Sequence, residues 1–306
     1  MALEPQTAGL LQFLADSGYP PMHEGSVDDA RKGMVAMAAV CRIDGGPIPV
    51  EVSDLEVAGR PARCYRPVGA DADLVERPTV LFLHGGGFVI GDLETHDQPC
   101  RRLARDLDAV VVAVDYRLAP EHPFPAASDD ALAAAREIAG DLASYGGSEQ
   151  FGVAGDSAGG NLAAYVAQEV PQVTAQLLIY PVVDALGDYP SREENAEGYL
   201  LEAATMVWFF GHYVTAPVEP TDTRLSPLHG VRASLPPAVV VTAGFDPLRD
   251  EGLAYADALR DAGVEVEAIH ADELIHGFLD MGKLSPGSEQ TVSAMHQAFA
   301  RALNVT

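Results

Sequence analysis

Gly155-Asp156-Ser157-Ala158-Gly159-Gly160 follows a short apolar run (Phe151, Val153, Ala154) and precedes an alanine-rich helical pattern over 161–168. Strand, glycine-flanked tight turn and helix form the setting in which G-x-S-x-G makes a nucleophile elbow. In such a turn the serine holds a strained backbone that lifts its hydroxyl clear of the sheet edge. Side chains at 155 and 159 would collide across the turn, hence glycine at both. The N–H of Ala158, first in the helix, points to where a carbonyl oxygen would become negative. The pentapeptide alone also fits a glycine-rich loop that holds a phosphate. The rest of the chain decides between them.

Outward from the elbow, short apolar runs alternate with helical patterns. Residues 79–84 and 109–114 are near-continuous apolar stretches, as expected of strands buried on both faces. Residues 175–180, 237–243 and 264–270 read as further strands, and 50–66 as a hairpin turning at Ala58-Gly59-Arg60. Helical spacing marks 97–107, 126–139 and 289–303, together with two segments inside 1–45 that are broken near Gly18. This alternation predicts a largely parallel sheet flanked by helices. It stops between 187 and 225, where Met206, Trp208, Phe209, Phe210 and Tyr213 cluster on a helix. An aromatic insertion after a core strand suggests a cap over the sheet.

His84-Gly85-Gly86-Gly87-Phe88 lies at the carboxyl end of the 79–83 strand. A glycine run after a buried strand and before an elbow has the form of an oxyanion loop. The N–H groups of Gly86 and Gly87 would join that of Ala158 on one oxygen, with glycine needed because a β-carbon would crowd the acyl group. His84 is expected to anchor the loop to backbone rather than act as a base. A serine nucleophile needs a base and the base a carboxylate, in the chain order Ser, acid, His. His276 lies in a loop after the last strand, whereas His270 at a strand end and His296 inside the terminal helix read as structural. Asp246 follows the 237–243 strand most closely, with Pro247 fixing the turn after it. Asp184 is the runner-up. Asp250 and Glu251 fall where a helix begins and suit its dipole. Ser157, Asp246 and His276 are therefore the expected catalytic residues, with Gly86, Gly87 and Ala158 as the expected oxyanion hole.

Together HGGGF at 84–88, YRLAPEHPFP at 116–125, GDSAGG at 155–160, DPLRDEG at 246–252 and HGF at 276–278 resemble the hormone-sensitive-lipase-like carboxylesterases of the α/β-hydrolase superfamily. ENAEGY at 194–199, followed by Met206, Trp208 and Phe209, is similar to that family's cap. The resemblance implies a single domain spanning 1–306 on an eight-stranded sheet with an antiparallel second strand, a helical cap formed by about 1–45 and about 187–225, ester hydrolysis through an acyl-enzyme, and no cofactor or metal. Amide or lactone hydrolysis would use the same triad, and a non-catalytic receptor on this fold would normally lose one of its members.

Composition narrows the partners. Asp and Glu number 45 against 19 Lys and Arg, a formal charge of −26, and Lys32 and Lys283 are the only lysines. Such a surface repels nucleic acid and anionic lipid, and the resemblance implies a small-molecule ester as the partner. A homodimer is compatible with the sequence but not required by it. Three cysteines without C-x-x-C spacing argue for a reducing compartment. With neither a signal peptide nor a membrane span in view, a cytoplasmic location is expected. The cap candidates Phe13, Met34, Val35, Met206, Trp208, Phe209 and Phe210 predict a pocket for short-to-medium neutral acyl groups.

Overall fold

Valine supplies four of the five residues of a strand at Val110–Val114, and all five are buried. A β-branched run without a polar face can only sit in the middle of a sheet covered on both sides. The computed structural model of the chain, which describes residues 2–18, 20–41, 48–69 and 76–304, places it there. The strands are β1 Val50–Val57, β2 Arg60–Pro67, β3 Arg77–Leu83, β4 Val110–Val114, β5 Gly147–Asp156, β6 Ala175–Ile179, β7 Ala238–Phe245 and β8 Val266–Ile275. They form one eight-stranded sheet in the order β1-β2-β4-β3-β5-β6-β7-β8. β2 runs antiparallel to both β1 and β4, and the remaining pairs are parallel. The β1–β2 hairpin closes on Ala58 and Gly59, both at positive φ, as a two-residue turn of right-handed strands requires.

The helices are α1 Pro5–Asp16, α2 Val27–Cys41, α3 Asp97–Leu107, α4 Ala126–Gly140, α5 Ala158–Glu169, α6 Pro190–Glu194, α7 Ala203–Tyr213, α8 Arg249–Asp261 and α9 Pro286–Ala302. α3 and α9 cover one face, where Leu103, Leu107, Met295 and Phe299 meet Val111, Leu177 and Val239. α4, α5 and α8 cover the other, where Ile138, Leu162 and Leu259 join Leu81, Val112 and Val240. Each such side chain contributes about 1.5–3 kcal/mol on burial, so these two layers dominate the stability. All three cysteines are buried and unpaired. Among the described residues no helix is long and apolar enough to cross a membrane.

Two expectations change. β8 runs to Ile275, five residues beyond the expected end, so His270 stands inside an edge strand that also bears the exposed Asp272 and Glu273. An edge strand needs only one buried face, and polar residues there hide its length in the sequence. Phe13 and Val35, expected to line a pocket, are 69% and 47% exposed. Both helices use other faces: Leu10, Leu11 and Met37 pack on the cluster of Cys41, Ile275 and Met281. The expected boundary of the N-terminal segment at 45 lies outside the described residues, as does Tyr19 in the break between its helices.

Candidate active site

β3 has β4 on one side and β5 on the other, so the chain changes direction across the sheet at the β3–β5 boundary. In an open α/β sheet the crevice at the carboxyl ends of such strands is the natural ligand site. Leu83 pairs with Gly155, which sets the glycine run 85–87 beside Ser157. On the other flank Phe245 pairs with Ile275, so the next residues, Asp246 and His276, leave the sheet together. Strand register thus gathers groups that lie far apart in the chain.

Ser157 holds φ 55° and ψ −118°, a conformation that non-glycine residues rarely adopt. Its own backbone fixes it: the N–H donates to the Ile179 carbonyl at 2.9 Å, and the carbonyl accepts Asn161 and Val182 N–H groups at 3.1 and 3.2 Å. A β-carbon on Gly155 would stand 2.2 Å from the Gly159 carbonyl oxygen, the collision across the turn expected from the sequence. One on Gly159 would instead strike the Leu83 carbonyl oxygen at 1.9 Å, so that glycine answers to the neighbouring strand.

His276 Nε2 lies 3.0 Å from Ser157 Oγ, and His276 Nδ1 lies 2.8 Å from Asp246 Oδ2. Asp246 is fully buried, and its Oδ1 accepts the Leu248 N–H at 2.8 Å. A carboxylate can only accept, so Nδ1 carries the proton it receives and Nε2 is left with its lone pair toward the serine hydroxyl. Tyr180 packs 4.5 Å from the His276 ring and Phe278 packs edge-on against Tyr180, bracing the imidazole.

The rival residues lie elsewhere. Asp184 accepts the Tyr189 hydroxyl, Asp250 accepts the Ser191 N–H, His296 pairs with Asp106 and His270 with Thr242. His84 Nδ1 donates to the Gly85 carbonyl at 2.7 Å, the backbone anchor expected of it. Glu251 stands in the first turn of α8, as expected, but it is also fully buried, and it accepts Val183 N–H at 2.9 Å and Arg192 at 2.6 Å. Among the described residues no group of three or more His, Cys, Asp or Glu side chains is arranged to hold a metal ion.

The segment between α6 and α7 reaches three parts of the site. Asn195 donates to the Asp246 carbonyl at 3.1 Å, Tyr199 packs 5.1 Å from the Phe245 ring, and Leu200 lies against Gly277. From α7, Phe209 lies over Gly87: a β-carbon there would meet its ring at 2.3 Å, and one on Gly86 the Ile90 carbonyl at 2.1 Å. Glycine is therefore demanded first by the loop and the ring above it, before any acyl group is considered. The contacts of Asn195 with the Asp246 carbonyl, Phe209 with Gly87, Tyr180 with His276 and Glu251 with Arg192 were not legible in the sequence, because each joins residues 50 or more positions apart.

A sequence model of a family with the alpha/beta hydrolase fold matches residues 80–280. The carboxylic ester hydrolase LipN of Mycobacterium tuberculosis is 42% identical over 304 residues, covering 90% of this chain and 78% of its own length. The ethyl acetate hydrolase of Pseudomonas putida is 38% identical over 321 residues, covering 99% and 100%. The solved structure of an ester-hydrolase from the metagenome of Lake Arreo, complexed with a derivative of bipyridine phosphonate, superposes with a TM-score of 0.90 at 38% identity, covering 98% of each chain.

Proposed function

Because this chain belongs to the alpha/beta hydrolase family, we propose that it is a serine carboxylesterase of the hormone-sensitive-lipase-like branch, with Ser157 as nucleophile, His276 as base and Asp246 as its orienting acid. The unbroken chain of contacts from Asp246 through His276 to Ser157 is the observation that carries this reading. Ser157 Oγ attacks the ester carbonyl while its proton passes to His276 Nε2. The oxyanion accepts hydrogen bonds from the N–H groups of Gly86, Gly87 and Ala158. The carbon–oxygen bond then breaks, and His276 gives its proton to the departing alcohol. Water attacks the acyl-serine by the same route, releasing the acid and restoring the serine.

The substrate is a small neutral ester of short-to-medium acyl length. Burying a charge without a partner costs several kcal/mol, roughly, and the walls offered by Leu200 and Phe209 are apolar. Residues 1–45 and 187–225 act as the cap of a single domain, tied to each other where His23 meets Thr205 at 3.2 Å. Three buried, unpaired cysteines favour a reducing compartment, the cytoplasm.

The test is a series of p-nitrophenyl esters from acetate to palmitate, run on the wild type and on Ser157→Ala. We expect kcat/KM to rise from acetate and then fall for long chains, since each buried methylene adds only about 0.8 kcal/mol until the pocket ends. Ser157→Ala should lose about 10⁶ in kcat, and a fluorophosphonate should label Ser157 alone. An active Ser157→Ala variant would overturn the mechanism, and a preference for palmitate the substrate class.

A further inference from the structure

Another aspartate–histidine pair, with both members buried, lies beneath the glycine loop, and the reaction just described makes no use of it. Asp156, the neighbour of Ser157, is buried, and its Oδ1 accepts the Gly85 N–H at 2.8 Å. The same oxygen lies 3.3 Å from Nε2 of the buried His96. A β-carbon on Gly85 would stand 2.3 Å from Asp156 Oδ2, so the loop is seated directly on this carboxylate.

The partner of the other ring nitrogen bears on the protonation of His96. Nδ1 lies 3.0 Å from Thr95 Oγ1. The single hydroxyl proton of Thr95 goes to the Asp92 carbonyl at 2.9 Å, and the oxygen also accepts the Asp92 N–H at 2.9 Å. While that proton stays on the Asp92 carbonyl, Thr95 Oγ1 accepts at the imidazole. With acceptors at both nitrogens, the ring needs both protons. A bare carboxylate beside the nucleophile would oppose the oxyanion that forms there.

We infer that His96 is a positioning residue of this reaction: as an imidazolium it neutralises Asp156 and keeps that carboxylate seated under Gly85, so that the Gly86 and Gly87 donors hold their place and their field. The inference rests on the roles given above to Ser157 and to those donors. The groups that titrate around His96 agree with it. Burial alone would lower its pKa, but the Asp156 carboxylate reverses this and raises it. Burial likewise pushes Asp156 up, and the His96 charge pulls it below the usual carboxylate range. The negative charges of Asp92 and Asp280 also favour its charged form. His84, 5.4 Å away, stays neutral: burial first and His96 second lower it to about 4. Its Nε2 is buried without a hydrogen-bond partner, as an unprotonated nitrogen there would be.

Raising the pH strips the extra proton from His96 and bares the charge of Asp156, so activity should fall on the alkaline side. The experiment is kcat and KM against pH for the wild type, His96→Gln, and His96→Gln with Asp156→Asn. His96→Gln should lower kcat about tenfold with little change in KM, and lose the alkaline limb. Adding Asp156→Asn should recover about threefold or more, because the bare charge is gone. A merely structural role would make the double variant worse than the single one, and that result, or an alkaline limb that persists in His96→Gln, overturns the inference. A readout on the wild type needs neither turnover nor a folded variant: ¹⁵N NMR at neutral pH should show the assigned His96 ring protonated at both nitrogens. A singly protonated ring refutes the proposal by itself. Residual turnover in Ser157→Ala would instead refute the nucleophile assignment and leave the His96 measurement standing.

Discussion

Asp246, on the loop after β7, and Asp250, in the first turn of α8, stand four positions apart, and their surroundings give them different work. Asp246 is buried and spends its oxygens on His276 and on the Leu248 N–H. Asp250 accepts the Ser191 N–H and pairs with Arg249. Asp246→Asn should therefore lose about 10⁴ in kcat, because an amide in its place favours the wrong imidazole tautomer. Asp250→Asn should stay within about threefold, since it keeps an acceptor for Ser191. Steady-state kinetics on the two variants checks this, and the reverse order would move the acid to Asp250. Gly87 offers a second test at this scale. With φ at +59° and the Phe209 ring over it, alanine there must move the loop or the ring. Gly87→Ala should lose about 10²-fold or more in kcat, the typical cost of displacing one oxyanion donor. Phe209→Ala added to it should recover part of the loss, and no recovery would put the fault in the backbone alone.

Helix α6 is too short to be stable by itself, and polar groups hold it on the acid loop. Ser191 Oγ donates to the Pro247 carbonyl at 2.9 Å, Arg249 reaches Glu194 at 2.7 Å, and Arg192 reaches Glu251 at 2.6 Å. Glu251 joins this element to the Val183–Asp184 backbone beyond β6. Burial, opposed by Arg192, pushes the Glu251 carboxyl up from 4.5 to about 7. A raised carboxyl binds its proton more tightly in the folded state. Its contribution to stability is therefore complete below the unfolded value of 4.5 and is lost as pH rises through about 7. Melting the wild type and Glu251→Gln between pH 4 and 8 should show the wild type losing of order 1–3 kcal/mol relative to the variant across that window. Parallel curves would mean that Arg192 holds the carboxylate ionised throughout.

Across the whole molecule, the excess of acidic groups sets the response to salt. The charge of −26 pushes the surface apart, while exposed pairs such as Arg301–Glu267 and Arg260–Asp257 are worth only about 0–1 kcal/mol each. Repulsion should win at low ionic strength. The melting temperature is expected to rise by several degrees, roughly, between 10 mM and 0.5 M sodium chloride, as the Debye length falls from about 30 Å toward a few Å. A fall in melting temperature over that range would show that attractive pairs dominate.

By itself the sequence determined what depends on neighbours along the chain. The strand–turn–helix at Gly155–Gly160, the hairpin at Ala58-Gly59, the buried valine strand and the glycine run after His84 are all local signals of sterics and hydrophobic period. Chain order and strand ends also pointed to Asp246 and His276, ahead of their rivals, as the acid and base proposed here. Only the tertiary structure decided what depends on register and on burial from a distance. The Phe245–Ile275 pairing sets Asp246 beside His276, and the fold sets Asn195 on the Asp246 carbonyl and Phe209 on Gly87. Glu251 and His96 show the reason most plainly. Each is a common polar residue in an ordinary helical or loop context, and its charge acquires a role only once folding removes water and leaves one partner within reach.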